Sequence, residues 1–248
     1  MILDSSLNIT HETHTTVSIL NPYVPGFLSF REAPPLLPSI TSAPPPLPDY
    51  LLADGNGILH PRGLGFASHL GILLSTSTHP IPTIGVGKNI HAFKDLRTSL
   101  FPNVDVTAKM IKSIFKAYAI SSPPDIDPAS IVNLRMLPQP SLVPPPSTPP
   151  PSTPPPTPPS SAVLYLYSNN QFETPCGAAY LNAQTANVNP VFVSSGHAVS
   201  LREAIWIVHK MSEYRIPEPI RRADLGGREK VRSGGRLKTK AGMRAGAK

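Results

Sequence analysis

Thirteen prolines stand between Pro138 and Pro159, in a run that reads PQPSLVPPPSTPPPSTPPPTPP. A proline ring fixes φ and removes the amide donor, so such a tract joins neither a helix nor a sheet ladder. It favours polyproline II with a solvated backbone. Any core must therefore be built from the sequence on either side. The chain has 33 prolines among 248 residues, and this concentration divides it into a first half-domain over 1–93, a proline-rich unstructured insert over 94–162, a second half-domain over 163–225 and a tail over 226–248. The tract reads first as a spacer and second as a docking segment for a proline-recognising domain.

Outside the insert the pattern alternates strands and helices. Thr15–Leu20 (TTVSIL) is β-branched enough for a strand and ends at the turn signal Asn21-Pro22. Phe27–Leu37 has helical character compromised by Pro34 and Pro35. Tyr50–Ala53 is a short apolar run closed by Asp54-Gly55-Asn56-Gly57, as a buried parallel strand is. Gly63–Leu74 reads as an apolar-faced helix and Thr83–Gly87 as the next strand, ending at Lys88. Within the insert, Val106–Tyr118 has the period of a basic amphipathic helix. Val163–Tyr167 and Gly177–Leu181 read as a hairpin, and Pro190–Val193 as a strand before Ser194-Ser195-Gly196-His197. Ser200–Tyr214 has a capping Ser200, Glu203 three residues on and an apolar face. This order predicts an α/β sheet flanked by helices.

The formal charge is +7, but from Arg221 onward there are ten basic and two acidic residues, or +8, which leaves the preceding body at −1. The basic excess belongs to the tail, so a polyanion site in the body has to come from local arrangement. From Gly226 the tail is rich in Gly, Lys and Arg and is expected to be unstructured. Cys176 is the only cysteine, which excludes an intrachain disulfide and multi-cysteine metal sites. Asp4 stands where a signal peptide needs positive charge, and no apolar run reaches a membrane span, so an intracellular protein without a membrane partner is expected.

Four polar residues fall at strand ends or in turns. Asp54 closes a buried strand and is followed by glycines, in the position where α/β sheets place their sites. A second carboxylate such as Glu32 converging on it would make an all-oxygen site suited to Mg²⁺. The matching chemistry is metal-assisted phosphodiester hydrolysis, with Lys88 neutralising phosphate charge and His197 moving a proton. Taken alone, Glu32 beside Arg31 reads first as a solvated ion pair and His69 as a core histidine, while His60 reads equally as a site residue or a loop cap.

Five blocks in order, PYVPGFLSFREAP (Pro22–Pro34), ADGNGILHPRGLGFASHLGILL (Ala53–Leu74), PTIGVGK (Pro82–Lys88), PVFVSSGHAVSLREA (Pro190–Ala204) and YRIPEPIRRAD (Tyr214–Asp224), resemble the endonuclease V family. The resemblance implies a ribonuclease H-like mixed sheet. It also implies a Mg²⁺-dependent nuclease, with Mn²⁺ as a substitute, that cuts the second phosphodiester 3′ to hypoxanthine in inosine-containing RNA or DNA. It places Glu32 and Asp54 in the metal centre, Lys88 on the phosphate and His197 on the water. Pro22, Tyr23, Val24 and Pro25 become the wedge that replaces a displaced base, while Gly26, Leu28, Gly55, Gly57 and His60 surround the extruded hypoxanthine, the glycines leaving backbone groups open to its polar edge.

The family pattern opens with a strand of the form GVDVSF, whose Asp is a metal ligand. Only 31 residues precede Glu32 here, and Asp4 in ILDSSLN does not match. The first strands of the sheet are expected to be missing and activity to be impaired. Two further readings stay open: a catalytically dead inosine binder, and an interaction protein working through its proline tract. A monomer in the nucleus, nucleolus or cytoplasm is the expected form.

Overall fold

The computed structural model describes residues 1–17, 19, 22, 24, 26–75, 80–90, 96–98, 105–120, 161–168, 174–182 and 189–245, with side chains throughout except at 117–120, 161–162 and 234–245. The proline tract lies outside the described residues, as do Tyr23 and Pro25 of the expected wedge.

Six strands form one mixed sheet: β3 (Leu51–Asp54), β4 (Thr83–Gly87), β5 (Leu96–Thr98), β6 (Ser161–Ser168), β7 (Gly177–Asn182) and β8 (Val191–His197). Their order is β3-β4-β8-β7-β6-β5. Only β3 and β4 run parallel, with Asp54 in register with Val86; every other neighbouring pair is antiparallel.

Period-two alternation sorts side chains to the two faces. On one face Ile84, Val86, Val163, Tyr165, Ala178, Tyr180, Val191 and Val193 pack with Ala204, Ile205 and Val208 of the helix Leu201–Lys210. On the other, Leu164, Leu166, Ala179, Leu181 and Phe192 pack with Ile111 and Phe115 of the helix Ala108–Ile120. In chain order the helices are α1 (Leu28–Thr41), α2 (Phe66–Ser75), α3 (Ala108–Ile120), α4 (Leu201–Lys210) and α5 (Glu218–Ala245). The Ser200 side chain accepts from the Glu203 amide at the start of α4, the half of the capping box that the sequence signals.

α1 continues through Pro34, Pro35 and Pro38, because Ala33, with no exposure, locks against Leu70 and Leu74 of α2. α2 in turn lies close on the sheet. A Cβ at Gly71 would meet His197 Cβ at 2.3 Å and Thr83 Oγ1 at 2.4 Å, and Thr83 Oγ1 donates to Ala67 O at 2.8 Å.

Three segments differ from the sequence expectation. Thr15–Thr16–Val17 and Ile19 are not in a strand; the local pairing is instead a hairpin of β1 (Ile2–Leu3) and β2 (Ile9–His11). Its turn is set by Asp4, whose Oδ1 accepts from the amides of Ser6 and Asn8 at 2.9 Å each. The region 94–162 supplies β5 and α3, so its amphipathic signal outweighs its composition there. The backbone of α5 is helical through Ala245, where composition predicts an unstructured tail from Gly226. An i,i+4 pair between Asp224 and Arg228 at 2.9 Å extends the helix from its anchored start. Among the described residues no helix is long and apolar enough to cross a membrane.

Candidate active site

Because β3 and β4 are parallel, Asp54 and Lys88 emerge from the same end of the sheet. Lys88 Nζ donates to Asp54 Oδ2 at 2.7 Å and reaches Asp224 Oδ2, on α5, at 3.5 Å. One ammonium thus lies between two carboxylates, all three groups being about a third to a half exposed. Burial works against the charge on Lys88, but the hydrogen bond and charge of Asp54, joined by Asp224, raise its pKa above the ordinary 10.5.

Asp224 owes its place to the start of α5. Glu218 is fully buried, and its carboxylate accepts from Arg221 Nε at 2.6 Å, Arg221 Nη2 at 2.7 Å and Arg222 Nε at 2.8 Å. The Glu218 amide donates to Met211 O at 2.7 Å. These bonds fix the axis along which Asp224 follows six residues later. The opposite side of the site is fixed by Arg215, which donates to the carbonyls of Lys88, Asn189 and Pro190.

The glycine-rich loop after β3 folds back over the sheet. A Cβ on Gly57 would stand 1.9 Å from the Ser195 carbonyl oxygen, so only glycine fits there. Gly57 N donates to Ser194 Oγ at 2.8 Å and Ile58 N to Ser195 O at 2.8 Å, while Gly55 N donates to Ala53 O at 2.9 Å and Val86 O at 3.1 Å. The amides of Gly55 and Gly57 are therefore already bonded within the protein. This corrects the expectation that they stay open to a bound base; these glycines serve close backbone approach instead. His60 is half-buried, and its Nδ1 accepts from the Arg62 amide at 3.3 Å.

The Arg62 guanidinium stacks on the Phe27 ring at 3.8 Å from its centroid. It also lies beside Gly26, whose φ is +79°, so the loop carrying His60 is joined to the segment that begins α1. Pro22, Val24, Gly26 and Leu28 are exposed there. Glu32 is half-buried on α1, which packs on α2.

His197 falls elsewhere. It pairs with Thr83 at the beginning of β4, whereas Lys88 follows the end of that strand. Thr83 and Gly87 are four residue steps apart, about 13 Å along the sheet. The expected gathering of four strand-end groups is corrected accordingly: Asp54 and Lys88 meet, and the third polar group beside them is Asp224 rather than His197. Asp224 was legible only as the last residue of YRIPEPIRRAD, one of three carboxylates in a predominantly basic helix.

Among the described residues no three His, Cys, Asp or Glu side chains form a group that could hold a metal ion. The donors at the constellation are hard carboxylate oxygens. They fit Mg²⁺, which binds through one or two carboxylates and completes its shell with water and phosphate oxygens.

The family Endonuclease V matches residues 1–122 and 154–225 of the chain. The endonuclease V of Protochlamydia amoebophila (strain UWE25) is 33% identical over 230 residues, which take in 91% of this chain and 68% of that protein. That of Mus musculus is 30% identical over 230 residues, 91% of this chain and 52% of its own length. The chain thus spans between about half and two thirds of these relatives. The crystal structure of a Ciona intestinalis endonuclease V variant, in complex with a 23mer DNA containing an inosine followed by a ribo-adenosine, superposes with a TM-score of 0.63. It is 26% identical and covers 92% of this chain and 75% of that one. Five ordered sequence blocks, the mixed sheet and the match over both half-domains agree, and the chain belongs to the endonuclease V family.

Proposed function

We propose that this chain is a divalent-cation-dependent endonuclease that hydrolyses the second phosphodiester 3′ to hypoxanthine in inosine-containing RNA or DNA. The observation that carries the reading is the Asp54–Lys88–Asp224 constellation at the carboxyl ends of two parallel strands. Its support from outside the chain is the inosine-containing DNA held by the Ciona relative. Lys88, charged at neutral pH, turns from its two carboxylates to a phosphate oxygen and lowers the cost of charge building there. Asp54 and Glu32 would hold Mg²⁺, or Mn²⁺ in its place, and the bound ion supplies electrostatic stabilisation of the leaving oxygen. Asp224 orients Lys88 from the α5 side. Pro22–Pro25 fills the space of the displaced base, and the loop carrying Gly57 and His60, tied to Gly26 and Leu28 through the Arg62–Phe27 stack, walls the pocket. On this reading the domain is a ribonuclease H-like monomer working inside the cell, in nucleus, nucleolus or cytoplasm, with the proline tract as a separate docking segment.

The test is cleavage of single-inosine RNA and DNA oligonucleotides with Mg²⁺, comparing the chain with Asp54→Ala. Cutting at the second bond 3′ to inosine, lost in the variant, is expected; equal cutting by both removes Asp54 from the mechanism. A second reading is inosine binding without cleavage, on the ground that Lys88 already holds the Asp54 carboxylate that would ligate the ion. It predicts inosine-dependent binding at every Mg²⁺ concentration with no product.

A further inference from the structure

The body preceding Arg221 has 12 basic and 13 acidic residues, and three of those 12 occupy one face of two turns of α3. Lys109, Lys112 and Lys116 are exposed, while Ile111 and Phe115 on the other side of the helix have no exposure at all. At 100° per residue the three lysines fall within about 60° of one another, and they span about 10 Å along the axis. α3 itself carries no Asp or Glu. Asp105, just before it, is paired with Arg97 at 3.5 Å. Among the described residues none of the three lysines has an ion-pair partner.

The helix packs into a core layer that also takes in residues flanking the candidate active site. Its buried face belongs to the same apolar cluster as Leu59, the neighbour of His60, and Ile90, two residues beyond Lys88. One apolar layer therefore joins the helix that presents the lysines to residues next to both loops of the site.

We propose that the Lys109–Lys112–Lys116 face binds the phosphate backbone of the nucleic-acid substrate outside the cleavage site. Three cations over about 10 Å match the rise of about three nucleotides of one strand. Contacts of this kind carry no base information, so the surface adds affinity and holds the duplex in register while discrimination stays with the pocket. The inference rests on the nucleic-acid reading of the site.

The test uses the full chain, a fluorescent duplex with one inosine, the same duplex without it, and Kd measured between 50 and 200 mM salt. Each phosphate contact adds about 0.9 to the slope of log K against log[salt] on a duplex. The Lys109→Gln/Lys112→Gln/Lys116→Gln chain should then have a slope shallower by about 2.7, and a fourfold rise in salt should cost the unaltered chain about 40-fold more affinity than this variant. Lys112→Gln alone should give about a third of the slope change, and the triple Lys→Arg chain should restore it. The ratio of affinities for the two duplexes should not move. An unchanged slope in the triple Gln chain, with binding retained, overturns the proposal, as does a loss confined to the inosine duplex. If the unaltered chain binds both duplexes equally, the inosine reading fails while the slope comparison still decides the role of α3.

Discussion

Arg215 donates from Nη2 to the main-chain carbonyl of Lys88 at 2.9 Å, and so the residue that ends one strand is held by a side chain entering from beyond α4. The same nitrogen reaches Pro190 O at 3.0 Å, and Nε reaches Asn189 O at 3.0 Å. These three carbonyls close the gap between the end of β4 and the start of β8. The Lys88 side chain leaves this clamp in the direction of Asp54 and Asp224.

Arg215→Ala strips a half-buried charged donor from three acceptors, which costs about 2–3 kcal/mol. Denaturant unfolding should show that loss. A midpoint equal to that of the unaltered chain would mean that water replaces the guanidinium without penalty. Arg215→Lys keeps the charge but not the fork, and should recover less than half of the loss.

The Lys88–Asp54 bond makes the titration of Lys88 depend on its carboxylate partner. Lys88 titrates above 10.5 because the carboxylates outweigh its burial. In Asp54→Asn the burial remains and the larger counter-charge is gone, so the Lys88 pKa falls. Titration of the Nζ resonance by NMR reads this directly, and an unmoved pKa would show that Asp224 alone sustains the shift. In the unaltered chain the folded pKa lies above the unfolded one. The pair's contribution to stability is therefore complete below about 10.5 and is lost as pH rises through the folded value. Lys88→Ala should cut the cleavage rate by about 10²–10³.

Much of this arrangement could be read in the residues. β4 matches its expected Thr83–Gly87, and the alternation of Val163, Tyr165 and Tyr167 against Leu164 and Leu166 assigns both faces of β6. Asp54 was legible because packing alone gives no reason for a carboxylate, followed by glycines, at the end of an apolar run. His197 was misplaced because a strand-end residue can belong to either end of a sheet, and only the antiparallel pairing of β8 with β4 decides which. Asp224 was overlooked for a related reason: its meeting with Lys88 depends on the direction of α5. That direction is set by the burial of Glu218, which no local pattern announces.

Gly57 tests the close approach of the pocket loop to β8. A Cβ there meets main-chain atoms of Ser195, which have no rotamer to yield. Gly57→Ala should destabilise by about 3 kcal/mol or displace the loop, with loss of the Gly57 N to Ser194 Oγ bond. Ser194→Ala removes the bond and leaves the contact, so it should cost about 1 kcal/mol. Equal thermal shifts in the two variants would show that the hydrogen bond, and not the steric fit, holds the loop.

Glu218 sets the acid limit of the fold. Its hydrogen bonds from Arg221, partly opposed by burial and reinforced by Arg222, hold its pKa below the ordinary 4.5. The folded state thus binds this proton more weakly than the unfolded state. The stability it confers is complete above about 4.5 and drains away as pH falls through the folded value. Glu218→Gln keeps the shape and removes the charge that Arg221 and Arg222 bond to, which costs about 1.5–3 kcal/mol at neutral pH. As pH falls below about 4.5 the two chains should begin to converge in stability, because the unaltered carboxyl is then protonated in the unfolded chain before the folded one. A constant gap between their unfolding curves from pH 7 to pH 3 would show that Glu218 does not titrate with folding. The anchoring of α5, and with it the position of Asp224 beside Lys88, would then need another origin.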